Sequence, residues 1–118
     1  MTAEDILDAV RVRLNDVDGQ RYTASVLLAD LNAGCRALFS RRPDCVILDT
    51  DETIRIEAPS AAEAEADVIA IHDRFAPALV AYVLSEAYAI DSDDAQAGNP
   101  AGLAAFHKAT FDNLAMTL

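Results

Sequence analysis

The stretch Asp73-Arg-Phe-Ala-Pro77-Ala-Leu-Val80-Ala-Tyr82-Val-Leu84-Ser-Glu-Ala87-Tyr88-Ala-Ile90 decides the fold. Pro77 suits the first turn of a helix, where backbone N–H groups have no intrahelical acceptor. From Ala78 onward, Leu79, Val80, Tyr82, Val83, Leu84, Ala87 and Tyr88 leave almost no polar face. A helix apolar around most of its circumference belongs at the centre of its domain. This segment is therefore expected to be the buried axis of a helical protein. Its nearly apolar part, Phe75 to Leu84, is much shorter than the roughly 20 residues that cross a bilayer.

Working outward, the other helices announce themselves by caps and spacing. Thr2 with Asp5 reads as an N-cap and first-turn acid, opening a helix over about 3–17 with Ile6, Leu7, Val10 and Leu14 in register. Asp16-Val-Asp-Gly19 is a turn. Thr23 caps a second helix over about 23–41, with Leu27, Leu28, Leu31, Cys35, Leu38 and Phe39 inward and Pro43 past its end. The central helix is expected over about 75–90. Asn99-Pro100 opens a last helix over about 100–116, with Leu103, Phe106, Thr110, Leu114 and Leu118 on one side. Leu31, Leu38, Val80, Val83, Leu84 and Phe106 are expected to be largely buried, in the subunit or in its assembly.

Between the second and third helices the period changes. Cys45 to Leu48 and Thr53-Ile-Arg-Ile56 flank Asp49-Thr-Asp-Glu52, which predicts a β-hairpin with a protruding acidic tip. Ser60 with Glu63 resembles a capping box, and Val68 to Ile71 alternates as a third short strand would. The expected fold class is mostly α, a single domain over 1–118: a four-helix core with a small β-hairpin or short-strand element at about 45–71.

Composition narrows the function. Twenty acidic residues against nine basic ones give a net charge of −11, and Lys108 is the only lysine. A sequence-independent nucleic-acid binder needs a basic face to neutralise phosphates, and only Arg36, Arg41 and Arg42 cluster here. DNA binding is not expected on this charge; an acidic wall that DNA slides past is compatible with it. Met-Thr-Ala-Glu-Asp carries acids where a signal peptide carries Lys or Arg, so no membrane targeting is expected. Cys35 and Cys45 read as reduced cytosolic thiols, and with His72 and His107 scattered they are too few for a zinc site.

Two local motifs suggest chemistry. Val46-Ile-Leu-Asp49-Thr-Asp51-Glu-Thr53 resembles the first motif of haloacid-dehalogenase-type phosphatases, an apolar strand followed by Asp-x-Asp-x-Thr. That chemistry needs a doubly wound parallel sheet, which the residues after Asp49 are too few to build. It also needs a lysine before its later metal-binding acids, and Lys108 follows Asp93 and Asp94. Asp91-Ser-Asp93-Asp94 begins like a calcium loop, but Ala95, Gln96 and Gly102 occupy the positions that need an oxygen ligand, glycine and glutamate. No enzyme is expected.

Residue order carries a broader resemblance. One block is Leu14-Asn-Asp16, Arg21-Tyr-Thr23, Leu27-Leu28, Leu31-Asn32, Arg36 and Arg42-Pro-Asp44. The other runs from Asp73-Arg-Phe-Ala-Pro77 through Tyr82-Val-Leu84, Ala87-Tyr88, Asp91 and Asn99 to His107, Phe111 and Leu114. Together they resemble the phage head–tail connector family, the adaptors of podophage tail-tubular type included. Longer members carry a sizeable β-rich insertion where this chain has only Pro43 to His72.

The resemblance implies a virion structural protein at the portal vertex, made in the host cytoplasm. It implies a ring of about twelve copies that docks to the portal protein, meets a tail or nozzle protein and continues the DNA channel, without cofactor or membrane. On this reading Arg36, Arg41 and Arg42 of one subunit meet Asp91, Asp93 and Asp94 of its neighbour. Ala115, Met116, Thr117 and Leu118 touch the portal, and the hairpin residues Asp49, Thr50, Asp51 and Glu52 face the tail. A small acidic interaction module of unrelated regulatory function is the alternative.

Overall fold

The computed structural model describes residues 1–16, 19, 21–46, 48–50, 53–55, 61–91 and 100–118. The protein is mostly helical: α1 (Ala3–Leu14), α2 (Ala24–Arg41), α3 (Ala76–Asp91) and α4 (Pro100–Thr117). α1, α2 and α4 each pack against α3. Ala78 through Ser85 are all buried, as the all-round apolar sequence of α3 requires.

The N-terminus of α1 is satisfied donor by donor. The Asp5 N–H donates to Thr2 Oγ1 at 3.3 Å, and the Thr2 N–H donates back to Asp5 Oδ2 at 2.8 Å, closing the capping box. The N–H groups of Ala3 and Glu4 donate to the carbonyls of Asp67 and Glu65 at 2.9 and 2.7 Å. The connector before α3 thus supplies the acceptors that the first turn lacks. Its own turn is held by Asp67 Oδ2, which accepts from the N–H groups of Glu63 and Ala64 at 2.8 and 3.0 Å. Ser60, the other half of the expected capping box, lies outside the described residues. Asn32 of α2 clasps the same connector: its Nδ2 donates to the Ala62 carbonyl and its Oδ1 accepts the Ala62 N–H, both at 2.9 Å.

Several expectations are corrected. α1 stops at Leu14, three residues early, because Asn15 takes the left-handed conformation (φ 56°) and its N–H closes on the helix's last carbonyls. Val68 to Ile71 adds no third strand; Val68 makes one isolated bridge with Thr2, and Ile69 and Ile71 bury into the core. Between α2 and α3, β1 (Leu48–Thr50) and β2 (Thr53–Arg55) pair antiparallel over three residue pairs, Leu48 with Arg55 through Thr50 with Thr53. The tip residues Asp51 and Glu52, and the side chains of 48–50 and 53–55, lie outside the description, and the predicted protrusion with them.

On α4, Phe106, expected to be buried in the subunit or in its assembly, is 63% exposed in the subunit, while Phe111 and Ala115 are buried. The helix is rotated so that Phe111 meets Tyr82 edge-on at 5.1 Å and His107 stacks on Tyr88 at 5.5 Å.

α2 approaches α3 through a glycine. A Cβ on Gly34 would stand 2.8 Å from Tyr82 Cδ1 and 3.1 Å from Cγ, at the root of a ring wedged between helices. Gly34→Ala gains about 1 kcal/mol of helix propensity. Overpacking costs about 1–3 kcal/mol, so the expected result is a net loss visible as a lower denaturation midpoint. An unchanged or raised midpoint would show that Tyr82 yields freely.

Candidate assembly surfaces

The first surface expected from the sequence is the basic end of α2. A 3-10 turn, Pro43–Cys45, follows directly and swings Asp44 back beneath Arg42. The guanidinium forks onto that carboxylate, Nε to Oδ1 at 2.9 Å and Nη2 to Oδ2 at 2.7 Å. Its Nη1 donates to the Ala115 carbonyl in the last turn of α4 at 3.1 Å, and the plane lies over the Phe75 ring at 5.4 Å. The hydrogen bonds from Arg42 hold the Asp44 carboxyl below the ordinary range. Arg41 pairs with Asp112 of α4 and lies over Phe111. Arg41 and Arg42 therefore fasten α4 to α2 within one subunit, and Arg36 is exposed to solvent. Of the expected acidic partners, Asp91 ends α3 with its side chain undescribed, and Asp93 and Asp94 lie outside the described residues.

The second surface is the outward face of α4, the last helix. α4 carries two charges over its length, Lys108 and Asp112, and both turn toward the body. Lys108 Nζ sits 4.8 Å from the Tyr82 ring centroid and 5.2 Å from that of Phe111, while Asp112 meets Arg41. The opposite face carries Leu103, Phe106, Ala109, Asn113 and Met116, exposed and uncharged. Its hydroxyls are bonded back to carbonyls of the same helix. Thr110 Oγ1 donates to the Phe106 carbonyl at 2.9 Å and Thr117 Oγ1 to that of Asn113 at 3.0 Å. A chain with a quarter of its residues charged thus presents a helix face that is neutral and apolar. The signal was present as a gap in charge: between Pro100 and Leu118 only Lys108 and Asp112 are charged.

The expected portal-contact residues divide. Ala115 is buried at 1% exposure and its carbonyl serves Arg42; Met116 is 81% exposed; Thr117 is exposed and Leu118 half-buried. Any contact made by this end runs through Met116 to Leu118.

Elsewhere the chemistry is quiet. Cys35 and Cys45 are free, buried thiols, and burial pushes them up to about 12 and about 11, which keeps them protonated and unreactive at neutral pH. Burial, helped by the positive charge of Arg13, lowers the His107 imidazole from its ordinary value. His72 is exposed. Among the described residues no group of three or more Cys, His, Asp or Glu could hold a metal ion, and the strands form one antiparallel pair. Asp49 lies in β1, and its companion Asp51 is outside the description. No helix among the described residues is long and apolar enough to cross a membrane. Compared with known proteins, the chain matches no family model and no curated sequence.

Proposed function

We propose that this chain is a head–tail connector subunit of a tailed phage, assembling as a ring against the portal protein. The observation that carries the reading is the uncharged outward face of α4. A subunit of charge −11 repels its copies over most of its surface, so stable association needs a neutral patch. Exposed Leu103 at 41%, Phe106 at 63% and Met116 at 81% supply one. A heterologous contact that closes by rotation gives a ring, and about twelve copies would surround the channel with negative charge. Such a ring favours passage of DNA over binding.

In this reading Arg36 and the acidic residues Asp91, Asp93 and Asp94 form the polar rim of the seam, where each ion pair is worth little alone. Met116, Thr117 and Leu118 reach the portal. The hairpin, with Asp49, Thr50, Asp51 and Glu52, faces the tail or nozzle protein. The subunit acts by shape and assembly, without cofactor or catalysis, at the portal vertex of the virion.

The test is sedimentation of the protein with its cognate portal, for the natural chain and for a Leu103→Asp, Phe106→Asp double variant. The natural chain is expected to co-sediment. The variant should bind more than about a hundredfold more weakly, because two unpaired carboxylates would be buried at the seam. Its unfolding curve should match the natural one, since both positions are exposed. Co-sedimentation of the variant at undiminished affinity would remove α4 from the seam. A natural chain that ignores the portal would refute the reading.

A further inference from the structure

The uncharged ridge on α4 has a counterpart elsewhere on the same chain. Asp5, Ala9 and Arg13 recur every fourth residue along α1, and Asp73, Pro77 and Val80 follow at helical spacing into α3. Between these two rows lies a groove of about 390 Å³. Its walls are largely apolar, formed by Ile6 and Ala9 of α1 and by Ala76, Pro77 and Val80 of α3. Alanine at 9 and 76 keeps both rims low, so the groove stays open where larger side chains would fill it.

The charges around this groove balance. The Asp5 carboxylate accepts the Thr2 N–H at 2.8 Å in the capping box, and Asp73 pairs with the Met1 ammonium at 3.0 Å. Arg13 lines the same groove, is exposed, and has no ion-pair partner among the described residues. Two cations thus stand against two carboxylates. A second groove, about 490 Å³ between α2 and the connector before α3, differs in this respect. Glu63 and Glu65 rim it and no basic residue lines it; among the described residues only Glu65 is met by a cation, Arg11 at 3.6 Å. A subunit of charge −11 approaching its own copy is repelled from the second groove and not from the first.

We propose that the α1–α3 groove is the seat of the neighbouring subunit's α4 ridge, with Phe106 and Ala109 of one copy lying between α1 and α3 of the next. The contact presupposes the ring reading given above and supplies the other half of its seam. Ridge and groove are different surfaces of one chain, so the contact runs head to tail and closes only as a ring. A self-complementary α4–α4 contact would instead use up the ridge in a dimer.

The lengths agree. Asp5 to Arg13 spans about 12 Å of helix and Phe106 to Asn113 about 10 Å, so the centre of the ridge fits the groove while Leu103 and Met116 reach over its ends. Phe106, 63% exposed in the subunit, is the anchor, because an aromatic side chain seated in an apolar pocket carries much of an interface's energy. Ala109 beside it is exposed and small enough to let α4 approach closely. Arg13, at the end of its row, keeps its guanidinium in water while its stem covers apolar surface.

The experiment mixes an Ala9→Cys chain with an Ala109→Cys chain on the cognate portal and adds a short bismaleimide. Both positions are exposed while Cys35 and Cys45 are buried, so the new thiols are the reactive ones. A covalent dimer joined from 9 to 109 should form in the mixture and in neither chain alone. Ala109→Cys chains joining to one another would reveal a two-fold α4–α4 contact and overturn the proposal. Portal binding, scored in the same samples, separates the remaining failures. Bound chains without the 9-to-109 product sink the groove as the seat and leave the connector reading standing. The product without portal binding keeps the groove and sinks the connector reading; neither product nor binding sinks both.

Discussion

Phe111→Ala should lower the stability of the folded chain by about 3–5 kcal/mol, while Phe106→Ala, five residues earlier on the same helix, should change it by less than about 0.5 kcal/mol. Phe111 is fully buried and Phe106 is 63% exposed. The cost at Phe111 exceeds simple transfer because three partners lose their surface together. Tyr82 loses its edge-on ring, and the Arg41 and Lys108 cations lose the face they cover. With the α2–α4 fastening disturbed as well, a fall of about 10–20 °C in Tm is expected for a domain of this size. Equal losses at the two positions would mean that α4 is turned differently on α3.

Asp16→Ala should cost about 2–4 kcal/mol, a large effect for a residue in a loop. Asp16 is 8% exposed and organises the α1–α2 connection from its centre. Its Oδ1 accepts the Arg21 N–H at 3.1 Å and its Oδ2 the Tyr22 N–H at 2.8 Å. Its backbone N–H donates to the Arg11 carbonyl at 2.9 Å, and its carbonyl accepts from Gly19 at 3.0 Å. The loop closes around Arg11, whose Nη1 donates to the Tyr22 carbonyl at 3.1 Å. Gly19 holds φ 68°, and a side chain there would meet that same guanidinium. Alanine at position 16 strands the buried Tyr22 donor, so hydrogen exchange at that amide should quicken along with the loss of stability. Unchanged exchange at Tyr22 would show that the loop is held by other means.

How much of this was legible depends on what each residue had to meet. The caps of α1 and α2 involve neighbours three positions away, and Thr2, Asp5 and Thr23 declared them. The centrality of α3 was legible because no polar face was left to offer solvent. The rotation of α4 was not, because Leu103, Phe106, Phe111, Leu114, Met116 and Leu118 place apolar groups on more than one side. Periodicity cannot choose between two apolar faces; the rings of Tyr82 and Tyr88 chose. Arg41 and Arg42 were visible as a cluster, yet the partner of Arg41 comes from Asp112, 71 positions along the chain. A count of local charge does not see such a pairing.

The central claim is assembly against a portal, and imaging tests it most directly. Purified protein incubated with its cognate portal and viewed by electron microscopy is expected to show a closed ring coaxial with the portal, one subunit's α4 lying against its neighbour. A lone monomer, or a two-fold dimer that leaves the portal bare, would contradict the connector reading.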